Sequence, residues 1–201
     1  MGVVGSQGLT DVTRSNTASQ DPLPGLTQPS IGHGKSANIS DKGSSLCTAS
    51  EERDLETVRS LLDSGTDVNE RDDVLRTPVL YASWKGRVEV ARLLIEYGAD
   101  VNSQDGVGWT SLHVASENGH SDVVRLLLDH DADVNAGRHD QWTALHIASR
   151  FGHFEVVEAL LKQGANVGVR NDEGRTPSQV ASRSGKRNIV RLLSEYDMHG
   201  V

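Results

Sequence analysis

From about residue 44 onward, the apolar positions recur on a fixed grid. Val90, Leu93 and Leu94 are followed 33 residues later by Val123, Leu126 and Leu127; Val156 and Leu160, with Leu161 beside them, and then Ile189, Leu192 and Leu193 continue the pattern. Each set makes one apolar stripe at helical spacing. The polar punctuation keeps the same step, with Thr77, Thr110, Thr143 and Thr176 ahead of Gly86, Gly119, Gly152 and Gly185. Threonine caps the free N–H groups of a helix start, and Pro78 and Pro177 suit a first helical position. The spacing therefore predicts a first helix of about eight residues after each threonine. It ends near the glycine, and a second helix carries the stripe. Gly65, Gly98 and Gly164 close the second helices; Asp131 stands at the matching place in the third unit and can tolerate a left-handed backbone. Helices this short are marginal alone, so the units must stack to cover one another's apolar faces.

Counting back on the grid, Ser44, Leu46, Ala49, Val58, Leu61, Leu62, Gly65 and Asn69 form an earlier, degenerate unit with Arg53 at the glycine place. It reads as an N-terminal cap. In the final unit Ser178 and Gln179 replace a leucine and a histidine, and Lys186, Arg187 and Asn188 make the outside polar, as at a C-terminal cap. The expected fold is an all-α solenoid of about five helix-turn-helix units, over residues 43–71, 72–104, 105–137, 138–170 and 171–201.

Residues 1–42 differ in kind. They hold three of the five prolines and no Trp, Tyr or Phe, and their charges balance. Such a stretch buries too little apolar surface to offset the entropy of ordering it, so a disordered tail is expected. Its start fits a myristoylation pattern at Gly2, but no polybasic cluster follows to supply a second anchor, and a membrane is not the expected partner. Gly34-Lys35-Ser36 resembles the end of a phosphate loop, with Pro29 where the first glycine belongs, and Asn38-Ile39-Ser40 is a glycosylation sequon.

The composition narrows the function. The 201-residue chain has a net charge of −8, which argues against duplex nucleic acid as a ligand. The lone cysteine, Cys47, permits no internal disulfide and fits a reducing compartment, cytoplasmic or nuclear. No apolar run approaches a membrane span.

Thr110-Ser111-Leu112-His113-Val114-Ala115 and Thr143-Ala144-Leu145-His146-Ile147-Ala148 resemble the Thr-Pro-Leu-His-x-Ala signature of the ankyrin repeat. Gly119-His120, Gly152-His153 and Gly98-Ala99-Asp100-Val101-Asn102 extend the likeness over residues 43–201. The resemblance implies antiparallel helix pairs with projecting β-turn fingers, and a protein partner held along the concave face. It also implies that His113 and His146 are structural, bonded to the threonine hydroxyl and neighbouring backbone. Asn69, Asn102 and Asn135 fall at the family's final asparagine, whose side chain should stabilise the finger turn; some relatives are hydroxylated there. Leu80 and Gln179 depart from the histidine and Gly168 from the asparagine, which puts the hydrogen bonding of those units in question.

No nucleophile with a base, paired acids or cofactor loop is legible, so no catalysis, cofactor or metal ion is expected. His153-Phe154-Glu155 is half a zinc deaminase signature without its cysteines, and Cys47 reads as a packing thiol. Mapped onto the family's groove, the residues before the threonines are Arg76, Trp109, Trp142 and Arg175. The ends of the first helices supply Trp84, Lys85, Glu117, Asn118, Arg150, Phe151 and Arg183. All three tryptophans fall in this set, with five basic residues against one acid. Trp and Arg lead binding hot spots. The expectation is a monomeric, non-catalytic scaffold whose groove takes a protein segment with apolar anchors and acidic flanks. The alternative is the regulatory portion of a larger signalling or enzymatic protein. Packing of Trp109 on Trp142 would be the purely structural use of the same residues.

Overall fold

The structure is a computed structural model describing residues 42–52 and 54–199. The tail expected over residues 1–42, with Gly2, Gly34-Lys35-Ser36 and Asn38, lies outside the described residues save for Lys42, as does Arg53. All the described residues belong to one compact unit.

Ten helices run in pairs among the described residues: α1 (Lys42–Glu52) and α2 (Leu55–Asp63), α3 (Pro78–Trp84) and α4 (Val88–Glu96), α5 (Ser111–Asn118) and α6 (Ser121–Asp129), α7 (Ala144–Phe151) and α8 (Phe154–Lys162), α9 (Pro177–Arg183) and α10 (Arg187–His199). The odd-numbered helices pack on one another in chain order, and so do the even-numbered ones. Val90, Leu94, Val123, Leu127, Val156, Leu160, Ile189 and Leu193 are buried in one continuous core, as the stripe requires. No strand is present among the described residues; one isolated bridge, Gly137 to Thr143, closes the base of a finger. Asp131 does take the left-handed conformation, at φ 61°.

The two histidines are built into the joints. The Nδ1 atom of His113 accepts from the Thr110 amide at 3.2 Å and lies 2.9 Å from the Thr110 hydroxyl. Its Nε2 faces the carbonyl oxygens of Ala136 and Trp142 at 3.0 and 3.1 Å. Two carbonyl partners require the proton on Nε2, leaving Nδ1 as acceptor. His146 repeats the arrangement on Thr143 and donates to the Arg175 carbonyl oxygen at 3.0 Å. Each ring thus caps its own helix and reaches into the next unit.

The departures behave differently. Gln179 keeps the local cap, its Oε1 accepting from the Thr176 amide at 3.0 Å. Leu80 has no acceptor to offer, and the cap expected from Thr77 is missing: its hydroxyl is buried without a partner. Pro78 at the first helical position still starts α3.

The asparagines do not stabilise their own finger turn; they tie one unit to the next. Asn102 donates from Nδ2 to the Asp131 carbonyl oxygen at 3.0 Å and accepts from the Asp133 amide at 2.8 Å. Asn69 and Asn135 make the same pair of bonds to Gly98 and Asp100 and to Gly164 and Asn166. The reach is 29 and 31 residues, so the closing loop of the following unit is the partner.

Candidate functional site

Four fingers precede the first helices, at residues 72–76, 105–109, 138–142 and 171–175. In three of them one side chain organises the turn. Asp72 accepts from the amides of Val74 and Arg76, Asp105 from those of Val107 and Trp109, and Asn171 from those of Glu173 and Arg175. The third finger has Arg138 at that place, and the Asp140 carboxylate bonds its guanidinium at 2.8 Å.

Two of the residues before a threonine meet the following finger. Arg76 faces the Asp105 carboxylate at 3.8 Å, and Trp109 lies under the Arg138 guanidinium, 4.2 Å from ring centre to carbon. Both tryptophans are core residues: Trp109 is 0% and Trp142 6% exposed, and Arg76 is buried too. Their burial corrects the expectation that they line the binding surface: the following finger covers Arg76 and Trp109, and Trp142 lies against His146 and Arg150. The two indoles do not pack on each other; their ring contacts are with His113 and His146.

Arg138 was not legible as part of this joint. Its only signal in the sequence is a basic residue on the grid place held elsewhere by Asp72, Asp105 and Asn171. Burial pulls its pKa down, against the carboxylates of Asp140, Glu117 and Asp105. Glu117 is half-buried nearby, and desolvation raises its pKa while Arg138 and Arg150 oppose the shift.

The other candidates reach the surface in part. Trp84 is half-buried, with the Lys85 ammonium 4.2 Å from its ring centre and that ammonium held by Glu51 at 3.0 Å. Tyr81 lies tilted against Trp84 and donates to the Asp72 carboxylate at 2.7 Å, which ties α3 to the first finger. Burial, then Asp72, pushes the Tyr81 phenol up to about 12. Asn118 is exposed, with its amide on the Val114 carbonyl oxygen at 2.8 Å. Arg150 is half-buried 5.7 Å from the Trp142 ring centre, Phe151 is exposed, Arg175 pairs with Glu173, and Arg183 is exposed.

The finger tips carry more than the sequence suggested. Val74, Leu75 and Val107 are 50%, 47% and 43% exposed. The Gly106 amide donates to the Val74 carbonyl oxygen at 3.1 Å, so the first two tips are joined edge to edge. Leu75 stands at φ 65°, at the place where the second and fourth fingers have Gly108 and Gly174.

The second pair of histidines is also structural. His120 and His153 sit within hydrogen-bond distance, by Nε2, of the carbonyl oxygens of Trp84 and Glu117, 36 residues back. The His153 ring lies where a side chain on Gly119 would stand, within 2.6 Å of an ideal Cβ. Among the described residues no group of three or more potential metal ligands occurs, and no helix is long and apolar enough to cross a membrane. Cys47 is buried, its sulfur 4.0 Å from the Arg76 carbonyl oxygen.

A family model described as ankyrin repeats (3 copies) matches residues 25–105, 46–138 and 112–200. No curated protein matches the sequence.

Proposed function

The chain belongs to the ankyrin repeat family, a class of protein–protein interaction module, and on that premise we propose that it is a non-catalytic scaffold that seats a protein partner on its finger tips and first-helix ends. The observation that supports this is the apolar row Val74, Leu75 and Val107. Stacking is satisfied by the buried stripe and needs none of these side chains. Contiguous exposed apolar residues mark interaction sites in soluble proteins. Tyr81, beside Trp84 on α3, bonds Asp72 at the base of the first finger, and Phe151 is a separate exposed aromatic at the end of α7.

Trp109, Trp142 and Arg76 have a different part in this reading. They hold the fingers at a fixed spacing, so that the tips present one surface instead of four independent loops. Pre-ordering of that kind lowers the entropic cost of binding.

The test is to capture partners with the wild-type chain and with Val74→Ser/Val107→Ser, both verified as folded. A partner retained by the first and lost from the second supports the surface; equal retention removes it.

A further inference from the structure

We infer that the helix-turn ends of the last two units form a docking site for a carboxylate-rich peptide segment bearing one apolar anchor, a proposal that rests on the reading of the chain as a protein-binding module. Phe151 ends α7 with 39% of its surface exposed, stacked on the His153 ring at 6.1 Å and 18°. α9 packs beside α7 and ends at exposed Arg183. The stem of Lys186 crosses Gly152, the residue after Phe151, so close that a Cβ there would fall 2.7 Å from its Cδ. Arg187 then begins α10, exposed. One cation thus crosses the residue next to the aromatic ring, and two more stand at the end of α9 and the start of α10.

Two observations show that these cations lack their counter-charge within the described residues. The ion pairs found elsewhere, Lys85 with Glu51 and Arg175 with Glu173, have no equivalent at Arg183, Lys186 or Arg187. In a chain with 28 acidic and 20 basic residues that is a local inversion of the balance. The second observation is at the head of α10. The other second helices each place an acid in the first turn, Glu56, Glu89, Asp122 and Glu155, where a negative charge suits the helix dipole. α10 has no acid in its first turn and starts with Arg187. Cations at that end are disfavoured by the dipole, so the site gains from an anion supplied by another molecule. Carboxylates from a partner segment satisfy the arginines by paired hydrogen bonds, and an apolar side chain beside them covers Phe151.

The probe is a fluorescent synthetic peptide of glutamates around a central Leu-Phe pair, titrated into the full chain by anisotropy. Controls are the same peptide with lysines for glutamates and a single-stranded DNA of matched charge. The Glu peptide is expected to bind, more weakly as salt rises, and about tenfold more weakly to Arg183→Glu/Lys186→Glu. The lysine peptide should not bind. Arg183→Gln/Lys186→Gln, with a checked melting transition, gives the same sign if the charge reversal disturbs folding. Absence of Glu-peptide binding, binding indifferent to both double variants, or tighter binding of the DNA overturns the proposal. Glu-peptide binding that survives those changes but is lost in Val74→Ser/Val107→Ser overturns this site while leaving the finger-tip surface in place.

Discussion

The Arg138 guanidinium lies over the Trp109 ring, 4.2 Å from its centre, and joins the second finger to the third. One joint earlier, the same two grid places are filled by Arg76 and Asp105. An ion pair and a cation–π contact thus do the same mechanical work in successive joints. The Arg138 joint is also the more covered of the two, with Trp109 fully buried and two guanidinium nitrogens without hydrogen-bond partners.

That burial sets the cost of disturbing the joint. Trp109→Ala removes a full indole from the core and leaves the Arg138 charge over a void, so a loss of about 3–5 kcal/mol is expected from urea unfolding. Arg138→Met keeps most of the volume on the ring and removes two nitrogens that find no acceptor, while leaving the partly exposed Asp140 carboxylate to water. It should therefore destabilise less than Trp109→Ala. A small effect of Trp109→Ala would contradict the packing.

Acid should loosen the stack through its histidines. Burial drives the pKa of His113 down from 6.5 to about 4, with the Arg138 charge adding to the shift. Between those values the unfolded chain binds a proton that the folded chain refuses. Stability is therefore full above about pH 6.5 and falls as pH drops toward 4. The loss from this group is on the order of 3 kcal/mol. His146, whose pKa burial also lowers, acts in the same direction. Urea midpoints measured across that window should slope, and His113→Gln should flatten the slope. Gln179 shows that glutamine can keep the cap without a titrating ring.

Asn102→Ala severs both of its bonds to the next unit and frees the Asp133 amide. Both bonds are exposed to water, so a loss of about 0.5–1.5 kcal/mol is expected, together with faster hydrogen exchange at Asp133. Unchanged exchange there would mean that the asparagine ladder does not couple the units.

A column of serines runs through the first helices. Ser50, Ser83, Ser116 and Ser149 are fully buried, and none of their hydroxyls has a partner. Ser116→Ala removes an unsatisfied group at nearly constant volume, so the melting temperature should rise, by the equivalent of about 1 kcal/mol. Ser116→Leu should destabilise by overpacking, since α3, α5 and α7 are in contact at this level.

The period, the stripe and the threonine–glycine punctuation were enough to read the helix pairs, because each repeats a local rule. The joints were harder to read. Trp109 and Trp142 look like hot-spot residues by type, and only the fold shows them covered, Trp109 by the following finger. Arg138 deviates from the grid, and its deviation is meaningful only once Trp109 is seen beneath it. The role of the asparagines is not legible in the sequence, because their partners lie about one repeat away, beyond any local pattern. Val74, Leu75 and Val107 gave no periodic signal, since the apolar tips occur in two fingers and not in the other two.

The finger tips serve a partner instead of the fold. Leu75 separates the two, because it holds a left-handed backbone at φ 65° while exposing its side chain. Leu75→Gly relieves that strain, worth about 1 kcal/mol, and removes the apolar surface. The decisive measurement is the affinity of Leu75→Gly for a captured protein partner, read beside its unfolding midpoint. The midpoint should hold or rise while affinity falls about tenfold; undiminished affinity would contradict the account.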